Sequence, residues 1–210
     1  MSPTTAKPRV MLDLDGTVYQ WERTARYLLR RYYESTGYGY APAALRTPSA
    51  HWDYIQQNVS ADAWEWLWTE GVRKGLFREG HIYTGAGEAI HEMAKFASVI
   101  VVTKRPETAI NDTLDWLAFR RWAISGFHFL TGEDEVKSSV TPHFEVYIDD
   151  SLDVHRELAA NTNGHLLLVD RPWNRDGVDP DLALRVERAW DWADTIAKTR
   201  SALKMRGFDV

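Results

Sequence analysis

The 210 residues, 44% hydrophobic and 26% charged, suffice for a substantial apolar core and exclude a disordered chain; no run approaches the roughly 20 apolar residues of a membrane span. A net charge of -5 with a pI near 5.8 gives no general attraction to a polyanion, so long nucleic acid is not an expected partner, whereas a small anion needs only one or two placed cations. The absence of cysteine removes disulfides, thiolate metal sites and cysteine nucleophiles together.

Residues 1–9 are short and polar and lack the apolar segment of a signal peptide, which predicts a cytoplasmic protein. Residues 9–13 (Arg-Val-Met-Leu-Asp) read as a short buried strand, ended by the turn residues Asp15-Gly16-Thr17. From 21 to about 37, Tyr27, Leu28, Tyr32 and Tyr33 recur at helical spacing. Residues 38–60 read as an irregular connection, and a helical pattern resumes over 61–77. Gly85-Ala86-Gly87 opens an amphipathic helix to about 96, and 97–103 is a continuous apolar run of the kind a buried parallel strand requires. It ends in the polar cluster Thr103-Lys104-Arg105-Pro106. A helix over 107–120, a weaker strand over 126–131, a strand over 144–148 closed by Asp149-Asp150, a helix over 153–160, a strand over 165–170 and a terminal helix over 190–204 follow. This alternation predicts an α/β fold, a Rossmann-like parallel sheet flanked by helices on both faces.

In such sheets ligands bind beyond the carboxyl ends of the strands. The residues at those ends are Asp13, Asp15, Thr17, Thr103, Lys137, Asp149 and Asp150. Four carboxylates in one crevice repel one another, and a divalent cation neutralises such a cluster; ligands that are all oxygen favour magnesium.

Asp13-Leu-Asp-Gly-Thr17, Thr103, Lys137 and Asp149-Asp150, in this order, resemble the four dispersed motifs of the haloacid dehalogenase-like phosphohydrolases. The resemblance implies that Asp13 is the nucleophile, that Asp15 protonates the leaving oxygen and then activates water, and that Thr103 and Lys137, with Thr17, meet the phosphoryl group. It implies a Mg2+ site made by Asp13, the Asp15 carbonyl and Asp150, with Asp149 behind them. The hydrolytic dehalogenases of the superfamily lack an acid at the position of Asp15, so its presence points to phosphate chemistry. Lys137 sits in Glu133-Asp134-Glu135-Val136-Lys137, which also reads as a charged solvent-facing loop, and Lys104 is the competing cation.

The superfamily resemblance divides the chain into a core, residues 1–17 and 81–210, and a small helical cap inserted after the first strand, residues 18–80. Residues 77–93, with Tyr83-Thr-Gly-Ala-Gly-Glu-Ala-Ile90, and Asp170-Arg-Pro-Trp-Asn174 are similar to the 5'(3')-deoxyribonucleotidases, whose base-stacking aromatic corresponds to Trp21. Lys104 departs from that branch, where a small hydroxyl residue commonly follows the threonine. Trp52, Tyr54, Trp64, Trp66, Trp68 and Phe77 are further aromatic candidates in the cap, of which Trp64 and Trp68 share a helix face and Trp66 points away; all serve equally as the cap's own core. Arg171 reads either as a substrate contact or as a salt-bridged surface residue. The seven histidines show no metal-ligand spacing.

The expected activity is magnesium-dependent hydrolysis of a small phosphate monoester, a nucleoside and chiefly a deoxyribonucleoside monophosphate, with no membrane partner and a homodimer left open. Its rivals are a nucleic-acid 3'-end phosphatase, a phosphatase of small metabolites such as sugar phosphates, and a catalytically silent nucleotide-binding module. The last would be marked by loss of a catalytic carboxylate, and none is missing.

Overall fold

A computed structural model describes residues 6–37, 40–46, 51–132 and 134–210. The expectations for 1–5, for 38–39 and 47–50 of the irregular connection, and for Glu133 lie outside the described residues.

Six strands form one sheet: β1 (Arg9–Leu12), β2 (Ser98–Lys104), β3 (Gly126–Leu130), β4 (Val146–Asp149), β5 (His165–Val169) and β6 (Val186–Ala189). Their order is β3-β2-β1-β4-β5-β6 and every neighbouring pair is parallel. Between Arg9 at the start of β1 and Asp149 at the end of β4, the central strands bury apolar residues and Tyr147, because both faces are covered. Val10, Leu12, Val146 and Ile148 point into one hydrophobic cluster, and Met11 and Tyr147, at alternating positions, point into a second. Helices α4 (Ala86–Phe96) and α8 (Trp192–Met205) build the first cluster with Ala89, Ile90, Met93, Ala202 and Leu203; α5 (Ile110–Arg120) adds Trp116 and Leu117. On the other face α6 (Leu152–Asn161) contributes Leu158. The sheet with helices on both faces is the predicted architecture.

Between β1 and α4 the chain builds α1 (Trp21–Thr36), α2 (Tyr54–Asn58) and α3 (Ala61–Trp66). The helix expected over 61–77 is shorter than predicted, since it passes into a π turn at Leu67–Gly71, where the Thr69 hydroxyl donates back to the Glu65 carbonyl at 3.0 Å. Helix α2 lies within the segment read as irregular; five residues give too little periodicity to detect. The chain leaves and returns side by side: Gln20 N–H donates to the His81 carbonyl at 2.8 Å and Tyr83 N–H to that of Val18 at 3.0 Å. Gly80 has no room for a Cβ, because the Tyr19 ring occupies that space.

Strand β6 and helix α7 (Pro180–Ala183) were not predicted. Val-Glu-Arg-Ala has neither alternation nor an apolar run; pairing with β5 at the sheet edge makes it a strand. Among the described residues no helix is long and apolar enough to cross a membrane.

Candidate active site

The strand order reverses between β1 and β4, and the parallel chains diverge there to leave a crevice at their carboxyl ends. Asp13 follows β1, with its N–H held by the Ile148 carbonyl of β4 at 3.0 Å. Asp149 ends β4 and Asp150 follows it. Asp13, Asp149 and Asp150 are buried, and each offers an oxygen within 4.8 Å of the others. A single strand pairing therefore gathers carboxylates 136 residues apart in sequence.

Lys137 opens a 3-10 turn, and its ammonium enters this cluster rather than solvent. Its Nζ donates to Asp13 Oδ1 at 2.5 Å and to Asp149 Oδ2 at 2.6 Å. The solvent-loop reading of Lys137 is thereby corrected: the pull of two buried carboxylates outweighs the solvation of one ammonium. Asp13 Oδ2 is left as the oxygen that takes no protein hydrogen bond among the described residues.

Asp150 is oriented by three neighbours. Thr17 Oγ1 donates to Oδ1 at 2.7 Å, Trp173 Nε1 to Oδ2 at 2.8 Å, and Asn174 Nδ2 to the backbone carbonyl at 2.8 Å. Thr17, expected at the phosphoryl group, is fully buried and gives its hydroxyl to Asp150 instead. Gly16 has φ +85°, and any Cβ there would strike the Asp150 carboxylate, so this turn admits only glycine.

Burial raises Asp13 well above the usual carboxylate range; Lys137 opposes this, and Asp149 and Asp150 add to it. Burial, then the charge of Asp149, lifts Asp150 to about 7 against the bonds from Thr17 and Trp173. Burial works against the charge on Lys137, yet Asp13 and Asp149 outweigh it and hold the lysine above its ordinary value. Three carboxylates and one ammonium leave an excess of negative charge, which near neutrality takes up a proton or a cation. The all-oxygen donor set, the excess charge and the spacing fit a hard divalent cation.

These groups open on a cavity of about 520 Å³ lined by Asp13, Asp15, Thr103, Lys104, Lys137 and Asp150 among others. Thr103 Oγ1 is buried and has no hydrogen-bond partner among the described residues, an orphan that an incoming acceptor would satisfy. Lys104 is exposed at the rim, its Nζ 3.4 Å from the Glu135 carbonyl. A second cavity of about 150 Å³ adjoins the first and shares Asp15, Trp52 and Lys104 with it; Trp21, Trp64, Trp68 and Phe77 also line it. Trp21 is 5% exposed, so it serves the hydrophobic core and the cavity wall at once. Trp64 and Trp68 do share a face, with ring centroids 5.6 Å apart, while Trp66 turns to Tyr32.

Arg171 fits neither sequence reading. It is buried, donates from Nε to the Gly16 carbonyl and from Nη2 to the Thr17 carbonyl, each at 2.6 Å, and stacks on Tyr83. It clamps the turn that carries Asp15. Trp173, Asn174 and Arg105 also escaped assignment. Arg105 gives Asp15 a two-armed bond, Nε to Oδ2 at 2.7 Å and Nη2 to Oδ1 at 2.8 Å. The only sequence signal was its place in the polar cluster after β2.

No protein-family model and no curated protein sequence matches the chain. Solved structures do. A haloacid dehalogenase-like family hydrolase from Streptococcus pneumoniae superposes with a TM-score of 0.63 at 15% identity, over 93% of this chain and 100% of that one. A phosphoglycolate-phosphatase-like protein from Lactobacillus plantarum gives 0.56 at 16%, over 92% and 99%. CbbY from Rhodobacter sphaeroides, in complex with phosphate, gives 0.54 at 16%, over 87% and 92%. An L-2-haloacid dehalogenase is similar as well, so likeness in fold does not choose between carbon–halogen and phosphate-ester chemistry. The chain has the haloacid dehalogenase-like fold, and the solved structures it resembles are hydrolases of that kind.

Proposed function

We propose that the protein is a magnesium-dependent phosphatase that hydrolyses nucleoside monophosphates through an aspartyl phosphate on Asp13. The observation that carries this reading is the convergence of Asp13, Lys137 and the orphan Thr103 hydroxyl on one cavity wall, beside a carboxylate at Asp15.

Asp13 Oδ2 attacks phosphorus as the bond to the leaving oxygen breaks, and Asp15 delivers a proton to that oxygen. Lys137 and Thr103 hold the transferred oxygens. Asp15 then takes a proton from water, whose oxygen displaces Asp13 and frees phosphate. The carboxylates of Asp13 and Asp150 and the Asp15 carbonyl, with Asp149 behind them, would hold magnesium, which would supply positive charge at the transferred oxygens.

The helices of residues 18–80 act as a cap, and the tryptophan-lined cavity beside Asp15 takes the nucleobase of the leaving group. Its volume of about 150 Å³ and its flat apolar walls suit one base. Trp68, at 37% exposure, is far less committed to the core than Trp21, at 5%. Trp68→Ala is expected to raise KM for a nucleoside monophosphate about tenfold and to leave a small ester without a base near wild type. Steady-state kinetics on the two substrates checks this.

Magnesium dependence carries a pH signature. The Asp150 pKa of about 7 in the fold stands above the ordinary carboxylate value of about 4, so between them the folded protein keeps a proton that the unfolded chain has released. The metal-free protein therefore loses this contribution to stability as pH rises through that window. Magnesium needs the carboxylate charged, so its affinity rises over the same range. The melting-temperature gain from magnesium is expected to be larger at about pH 8 than at about pH 6. An equal gain at both would show that Asp150 either carries no proton near neutrality or does not hold the metal.

Phosphate release from nucleoside 5'- and 3'-monophosphates, sugar phosphates and a 3'-phosphorylated oligonucleotide, with magnesium and with chelator, tests the whole reading. Metal-dependent preference for mononucleotides is expected. Preference for another class would keep the Asp13 chemistry and discard the assignment of the tryptophan cavity.

A further inference from the structure

Arg105 is a buried cation at the site to which the reading above gives no task. It is 2% exposed, and a guanidinium so withdrawn from water needs each donor matched. Two arms reach Asp15, and Nη1 donates to Thr113 Oγ1 at 2.9 Å. Its plane is flanked by Tyr19 and Phe77, whose ring centroids lie 4.9 and 4.5 Å from the guanidinium carbon. Tyr19 in turn donates its hydroxyl to the Leu76 carbonyl at 2.5 Å. Arg105 is thus fixed by the two stems through which the helical segment leaves and rejoins the sheet.

Asp15 sits on the wall shared by both cavities, with the nucleophile on one side and the tryptophans on the other. An acid–base group is effective there only if its carboxylate is held within hydrogen-bond reach of the oxygen between phosphorus and leaving group. Asp15 follows a strand and precedes a glycine turn, where a short side chain has several rotamers open to it. The coplanar fork of Arg105 selects one and leaves each oxygen a second lone pair toward the cavity.

We propose that Arg105 is the positioning residue of the acid–base step, fixing the Asp15 carboxylate between the phosphoryl site and the leaving-group pocket. The inference rests on the phosphatase reading above. Arg105 exchanges no proton itself; Asp15 gives its proton to the leaving oxygen as the P–O bond breaks and regains one from the attacking water. Lysine is no substitute, because a single ammonium cannot form the two-armed bond.

The test compares kcat/KM for benzyl phosphate and 4-nitrophenyl phosphate, esters of similar shape. The benzyl alkoxide needs a proton to leave, and the nitrophenolate does not. Using kcat/KM confines the comparison to the first phosphoryl transfer. Arg105→Lys is expected to lose about 100-fold on benzyl phosphate and under about fivefold on 4-nitrophenyl phosphate. Combined with Asp15→Ala, it is expected to cost nothing further on benzyl phosphate. Arg105→Gln, which keeps two donors of neutral charge, serves if the lysine variant does not melt cooperatively. Equal losses on the two esters, or additive losses in the double variant, would assign Arg105 a structural role and overturn the proposal. Failure of the wild-type protein to release phosphate from either ester would instead remove the phosphatase reading, and an Asp15→Ala variant that keeps the wild-type ratio of the two esters would remove Asp15 as the acid.

Discussion

Asp13→Asn is expected to abolish phosphate release, by at least about 10⁴-fold, while leaving a folded protein. The amide nitrogen that replaces one carboxylate oxygen is no nucleophile, and no second carboxylate takes its place: both Asp149 oxygens accept protein hydrogen bonds, from Lys137 and from the Ser151 N–H, and Asp150 is held by Thr17 and Trp173. Folding survives because an asparagine has the same shape, its oxygen still accepts from Lys137, and Lys137 keeps its bond to Asp149 at 2.6 Å. The substitution also removes a charge that burial disfavours, so melting in chelator is expected to be no lower than wild type. Two measurements check the assignment: steady-state phosphate release, and trapping of a hydroxylamine-labile phosphoprotein, which forms in wild type and is absent in the variant. A variant with near wild-type turnover would take Asp13 out of the mechanism.

The parts of this site legible in sequence are those written locally. Strands β1 and β4 are covered on both faces, which makes each a continuous apolar run, and a run that stops at an aspartate marks both the strand end and the crevice beyond it. Lys137 was placed by motif order alone. Its own surroundings, acidic and polar, read equally as surface, and only the buried negative charge of residues 124 and 12 positions away draws it inward. Arg105 and Arg171 were illegible as site residues for a related reason. A guanidinium fork is defined by its partners, and these stand 90 residues away for Arg105 and 155 and 154 for Arg171. Trp21 shows a different limit: one ring belongs to the core and to a cavity wall at once, so the choice between core and ligand contact was not a real alternative. Strand β6 lacked a signal because edge pairing, not composition, makes it a strand.

Lys137→Met is expected to separate the two roles of the buried charge. Methionine matches the length of the lysine stem but leaves Asp13, Asp149 and Asp150, whose oxygens lie within 4.8 Å of one another, without their buried cation. A unit charge pair at about 4 Å is worth about 4 kcal/mol at an effective dielectric of about 20, and stripping one partner from a buried pair costs about 3–5 kcal/mol. In chelator the variant is therefore expected to melt well below wild type, and more so as pH rises and the carboxylates lose their protons. Magnesium is expected to restore much of that loss and to bind at least as tightly as in wild type, since the site now holds one more uncompensated negative charge. Activity is not expected to return: the transferred oxygens lose a fixed donor, for about 10²–10³-fold in kcat. Calorimetric melting and magnesium titration, set beside kinetics at saturating metal, read stability and catalysis independently. If metal restored turnover along with melting temperature, Lys137 would be a charge-balancing residue only, and the contact to the phosphoryl group would pass to Lys104 at the rim.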